Sequence, residues 1–247
     1  MLTLRGRTAV ITGATGHLGK GLVKSLTAGG MNVVMVTHFP AEARSLIDAV
    51  KDNPGRCIAL GNDNGDEAVF GEVAERFGSV DVVIVNHGAP YQYRPIEEIT
   101  EEEIDHKLHH QITHSFTIIQ KAIPYLKKSS AGRIVLMSSI GAESGLLEEG
   151  LADCAAWGGV ISMTRYLAGA LAGDGITVNC IAKGGLENDH PPMREGEMDA
   201  ALLLGRIPLG RNGRPEEFGA LAAYLISEEA GFMTGQVLRL NGGMRMG

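Results

Sequence analysis

Short apolar runs alternate with longer amphipathic stretches along the whole chain. Residues 8–12, 32–36, 80–85 and 133–137 are nearly unbroken in Val, Ile, Met and Leu. Strands of this kind suit a parallel sheet covered on both faces, where neither face alternates with water. Residues 57–60, 176–181 and 236–240 extend the series, and helical patterns fill the gaps, as at 19–28, 100–126 and 215–227. Thr100 followed by Glu103 predicts a capping box that opens the long middle helix. Pro215 fits the first turn of the last helix, with Glu216 and Glu217 placed to complement its dipole.

The alternation runs on without a composition break, a repeat or a low-complexity linker. Residues 1–247 are therefore expected to form one α/β domain, a doubly wound parallel sheet with helices on both faces. Residues 184–205, rich in Glu, Pro and Met, form the longest irregular stretch and predict a substrate loop or lid.

Charge and cysteine content narrow the function classes. A net charge of −7 disfavours nucleic acid, since phosphate binding needs a basic surface. Cys57, Cys154 and Cys180 are odd in number and share no metal-ligand spacing, which suggests reduced thiols in a reducing compartment. The chain runs from Met1 into a polar turn and a strand, and no apolar run is long enough to span a bilayer. A soluble cytoplasmic protein without membrane or nucleic-acid partners is the expectation.

The first candidate site is the turn Thr12-Gly13-Ala14-Thr15-Gly16-His17-Leu18-Gly19, between the first strand and the first helix. Glycines there let the backbone turn sharply and approach a pyrophosphate seated on the helix N-terminus. Spaced glycines alone are a weak signal, but between an N-terminal strand and a helix they are a strong one. The bland alternative is a tight turn without a ligand.

Together with Asn86-His87-Gly88 after the fourth strand, Ser139 after the fifth, and the C-terminal patterns 207–217 and 234–243, this turn resembles the short-chain dehydrogenase/reductase family almost from end to end. The resemblance implies a Rossmann-type fold, an NADP or NAD cofactor and a small-molecule substrate. It also implies a homo-oligomer, a dimer or homotetramer, built through the long middle helix. The glycine spacing departs from that of single-domain members: His17 stands where they have the middle glycine of Thr-Gly-x-x-x-Gly-x-Gly. Gly13, Gly16 and Gly19 instead match the Thr-Gly-x-x-Gly-x-x-Gly of the larger, extended members.

The cofactor residues implied are Gly13, Thr15, Gly16, His17, Leu18 and Gly19 in the turn, Thr37 and His38 after the second strand, and Asp63 beside the adenine. Asn86 and Gly88 follow the fourth strand; Lys183, Gly184 and Leu186 follow the sixth. No carboxylate stands at Thr37 or His38 to repel a 2′-phosphate, and a threonine can donate to one, which tilts the choice toward NADP.

The catalytic positions carry the largest departure. The family's Tyr-x-x-x-Lys is here Asp153-Cys154-Ala155-Ala156-Trp157, and its helix Asn is Gln111. The spacing from Ser139 to Asp153 is one residue longer than the commonest version, but a one-residue slip does not restore the motif. None of the five tyrosines has a lysine four residues on, the spacing that puts both groups on one helix face. An aspartate of ordinary pKa is ionised at neutral pH and protonates nothing; burial can raise it enough to act as an acid or base.

Ser139 can donate to a substrate oxygen or simply satisfy a strand end. His87 is placed for proton transfer or for packing at the sheet end. Lys183 adds a cation able to pair with a phosphate, a substrate carboxylate or Asp153. His106, His110 and His114 recur every four residues with His109 beside them, but no carboxylate pattern accompanies them. They fit an interface face better than a metal site. Two classes remain: a divergent oxidoreductase-like enzyme using Ser139, Asp153, Gln111, His87 and Trp157, or a non-catalytic dinucleotide-binding or assembly subunit. A non-redox lyase or isomerase on the same fold is a variant of the first.

Overall fold

The computed structural model describes residues 2–61, 67–86, 95–144, 150–187 and 204–246. Its sheet has the order β3-β2-β1-β4-β5-β6-β7, with every pairing parallel. The strands are β1 (Thr8–Thr12), β2 (Asn32–Thr37), β3 (Cys57–Gly61), β4 (Val82–Val85), β5 (Arg133–Ser139), β6 (Thr177–Lys183) and β7 (Val237–Leu240). The helices are α1 (His17–Ala28), α2 (Pro40–Val50), α3 (Glu67–Phe77), α4 (Glu101–Leu108), α5 (His114–Leu126), α6 (Gly141–Ser144), α7 (Leu151–Leu171) and α8 (Pro215–Leu225). This is the expected Rossmann-type α/β fold.

The continuous apolar strands do what their pattern requires. β1, β4 and β5 are buried at every position. Fully burying a Val, Leu or Ile side chain contributes about 1.5–3 kcal/mol, so this central layer dominates the fold's stability. Phe70 of α3 and Phe218 of α8 are among the largest wholly buried side chains.

Polar anchors fix the ends of the strands. At the edge away from the site, the Asp81 carboxylate accepts from the Thr8 amide at 2.8 Å, from Ser79 Oγ at 2.7 Å and from Ser129 Oγ at 2.6 Å. These donors come from β1 and two loops, so one buried acid ties the sheet base together. At the opposite end, Asn86 follows β4 and donates through Nδ2 to the Gly13 carbonyl at 3.0 Å. The strand order reverses between β1 and β4, which is where open α/β sheets place their ligands.

The middle helix is not one uninterrupted α-helix. The predicted capping box forms: the Glu103 amide donates to Thr100 Oγ1 at 3.2 Å, and the Thr100 amide to Glu103 Oε2 at 3.1 Å. A π-helical turn over His109–Thr113 then separates α4 from α5. Such turns insert a residue into the i→i−4 ladder and often mark functional sites. This one carries Gln111. No described helix is long and apolar enough to cross a membrane.

Candidate active site

The glycine turn has the shape its sequence predicts. Gly13 has φ +60°, a conformation L side chains rarely adopt. A Cβ on Gly19 would lie 2.3 Å from the Gly13 carbonyl oxygen, so only glycine lets α1 start this close to the end of β1. Gly16 is the N-cap of α1 and provides no side-chain cap, which leaves the helix start to backbone amides. A helix N-terminus and its dipole favour an anion there. His17 is half-buried as the first residue of α1, and Leu18 packs against the core. The turn therefore fits the pyrophosphate of a dinucleotide.

At the end of β2, Thr37 is 5% exposed and faces inward. Its Oγ1 lies 3.1 Å from Thr15 Oγ1 and accepts from the Phe39 amide at 3.0 Å. His38, next in the chain, is the exposed side chain. Asp63, His87 and Gly88, and residues 188–203 of the expected lid, lie outside the described residues.

The four described residues at the expected catalytic positions are all buried, Gln111 1%, Ser139 0%, Asp153 2% and Trp157 2% exposed, and Gln111 and Asp153 are in direct contact. Ser139 ends β5, donates to the Lys183 carbonyl at 3.3 Å and accepts from the Gly141 amide at 3.3 Å. The strand-end role weighed for it is thus filled. Trp157 sits one turn beyond Asp153 on α7 and belongs to the apolar core. Its backbone carbonyl accepts from Ser138 Oγ at 3.1 Å, and its buried indole N–H has no hydrogen-bond partner among the described residues.

Asp153 has a partner that sequence reasoning did not single out. Lys107 Nζ lies 3.0 Å from Asp153 Oδ1 and 2.9 Å from Oδ2, and Gln111 Nε2 donates to Oδ1 at 3.0 Å. Lys107 and Gln111 are four residues apart, so one face of α4 and the π turn presents both donors. Lys183, the cation the sequence offered for Asp153, also acts on it through charge. Burial pushes the Asp153 carboxyl above the usual range, against the opposing pull of Lys107, Gln111 and Lys183. The one sequence signal for Lys107 was its place four residues before Gln111.

After β6, Gly184 donates its amide to the Leu240 carbonyl at 2.9 Å. A Cβ there would lie 2.5 Å from Asn241 Cβ, so glycine is required for this approach. Leu186 forms a parallel bridge with Gly213. The histidine row is regular: ring centroids are 6.3 Å apart for His106–His110 and 5.9 Å for His110–His114. Burial holds His110 below the usual imidazole range, helped by its histidine neighbours. Among the described residues no three His, Cys, Asp or Glu side chains are gathered as a metal would need.

A reversal of strand order between β1 and β4 and a glycine turn shaped for pyrophosphate together define an α/β protein of the dinucleotide-binding kind. Residues 13–245 match the family described as enoyl-(acyl carrier protein) reductase. The 3-oxoacyl-[acyl-carrier-protein] reductase FabG of Vibrio cholerae is 31% identical over 247 residues, covering 99% of this chain and 100% of that one. An uncharacterized oxidoreductase of Bacillus subtilis, YhxC, is 30% identical over 97% of this chain and 85% of its own. A dehydrogenase/reductase from Sinorhizobium meliloti superposes with a TM-score of 0.90 at 27% identity, over 99% of this chain and 97% of that one. A short-chain dehydrogenase/reductase from Serratia marcescens gives 0.88 at 26%, over 98% of each. The chain belongs to the short-chain dehydrogenase/reductase family, whose cofactor is a nicotinamide dinucleotide.

Proposed function

We propose that this chain is a divergent oxidoreductase that reduces a carbonyl, or oxidises the matching alcohol, with Asp153 moving the proton. The observation that carries this reading is the pair of donors aimed at one buried carboxyl: Lys107 at 2.9 Å and Gln111 at 3.0 Å. A bound nicotinamide dinucleotide would supply or accept the hydride. In the reductive direction Asp153 gives its proton to the substrate oxygen. The carboxylate left behind is stabilised by the Lys107 ammonium and the Gln111 amide, while burial favours its return to the neutral acid. Gly13, Gly16 and Gly19 would hold the pyrophosphate. The lack of a carboxylate at Thr37 and His38 supports NADP over NAD.

Relatives named 3-oxoacyl-[acyl-carrier-protein] reductases make 3-oxoacyl thioesters the first substrates to try. Three unbridged thiols support a reducing, cytoplasmic setting. The histidine row and the 43% exposed Phe116 support self-association through the middle helix, as a dimer or tetramer.

A second reading, a non-catalytic dinucleotide-binding subunit, draws on Ser139. Its hydroxyl is wholly buried and already tied to Lys183 and Gly141. Fluorescence titration with NADPH and NADH, followed by a carbonyl screen, separates the two. Cofactor binding with turnover that Asp153→Asn lowers by ~10²–10⁴-fold supports the enzyme. Binding without turnover on any carbonyl supports the second reading, and failure of both nucleotides to bind contradicts both.

A further inference from the structure

The Lys107–Asp153 pair also borders a cavity separate from the glycine turn. A cavity of about 240 Å³ lies between the start of α4 and the start of α7. Lys107 and Asp153 form part of its wall, with Glu102, Glu103, His106 and Leu151 around them. No residue of the glycine turn lines it. The lysine is the link between two environments: its side chain is 9% exposed, its ammonium spans both oxygens of Asp153, and it borders a space of mixed polar and apolar lining large enough for small molecules.

Resting on the reading of Asp153 as the proton-moving group, we propose that Lys107 is a relay residue acting through Asp153, and that this cavity is the port through which it exchanges protons with water. After Asp153 has given its proton to the substrate oxygen, its carboxylate takes one from the Lys107 ammonium. The neutral amine regains a proton from water in the cavity, so charge and protons balance over the cycle. Among the described residues, the groups around the path include Glu102, Glu103 and His106 on α4, Gln111 in the π turn, Asp153 on α7 and, through charge, Lys183 on β6. The cation at 157 is gone from α7, and a buried cation reaches the same carboxyl from α4.

Chemical rescue tests this. Lys107→Ala extends the cavity to the carboxyl of Asp153 and removes the relay amine. Turnover should fall by ~10²-fold or more and return on adding small primary amines such as methylamine or fluoroethylamine, with rates that follow amine acidity. Lys107→Met, which leaves no room for the amine, should show the loss without rescue. Methylammonium should also raise the melting temperature of Lys107→Ala and not that of the unaltered protein, a readout that needs no turnover. Rescue independent of amine acidity, or Lys107 variants that keep unaltered turnover, would overturn the relay. If a variant unfolds, Lys107→Met with Asp153→Asn removes the uncompensated charge, and its failure to melt higher than Lys107→Met alone would also count against the pairing. Full turnover in Asp153→Asn would instead sink the reading of Asp153 itself, so the two failures are distinct.

Discussion

Lys107 Nζ sits 3.0 Å and 2.9 Å from the two carboxyl oxygens of Asp153, and both side chains are buried. The pair joins α4 to α7 across the position where the family keeps its Tyr and Lys. A buried ion pair adds little net stability over an apolar substitute, but removing one partner strands the other. Lys107→Met is therefore expected to lower unfolding stability by about 3–5 kcal/mol. Adding Asp153→Asn should return a large share, because no charge is then left in the core. Urea unfolding of the three variants checks this double-mutant cycle; additive losses would show that the two residues are not coupled.

Acid should affect the pair with a definite sign. The folded-state pKa of Asp153 is raised, chiefly by burial. A raised carboxyl contributes stability that is fully present below its unfolded value and is lost as pH rises through its folded value. The protein should thus lose stability relative to Asp153→Asn as pH climbs from the ordinary carboxylate range toward neutrality. Lys107→Met removes an opposing cation and should move that loss to higher pH. Melting curves across this range for the three proteins provide the check.

The glycine turn makes a steric prediction. A methyl at Gly19 meets the Gly13 carbonyl at 2.3 Å and the Ala14 backbone at 2.5 Å. Backbone must move to relieve this, at a cost of about 1–3 kcal/mol. Gly19→Ala should weaken NADPH binding more than ~10-fold, since the shifted atoms are those that would hold the pyrophosphate. Unchanged affinity in a fluorescence titration would separate this turn from cofactor binding.

Much of the fold is readable from apolar runs, and the differences fall where polar residues hide a strand. β5 and β6 reach Ser139 and Lys183 because these residues pair in register, a tertiary fact that apolar pattern does not carry. β4 begins at Val82, just after Asp81, whose carboxylate accepts from Thr8, Ser79 and Ser129. The sequence reads as one helix across 100–126, and the π turn at 109–113 is not legible in it. At the site, Ser139 was legible as a match to the family pattern, and Gln111, Asp153 and Trp157 as departures from it. Lys107 was not, because its contact with Asp153 spans 46 residues of chain and exists only once α4 crosses α7.

Reinstating the family's pair is a test of the rest of the cleft. Asp153→Tyr with Trp157→Lys would put a phenol and an ammonium one helical turn apart on α7. Lys107 would then face an added cation without its carboxylate, so Lys107→Met should accompany the change. Gain of reductase activity in the triple variant over Lys107→Met alone would show that the remaining residues still seat a dinucleotide and a carbonyl.

The most direct measurement is the rate of NADPH consumption with 3-oxoacyl thioesters and other carbonyls, compared between the unaltered protein and Asp153→Asn. Asp153 as the proton-moving group predicts turnover in the former and a ~10²–10⁴-fold fall in kcat in the latter, with NADPH affinity retained. Equal turnover in both proteins would contradict it.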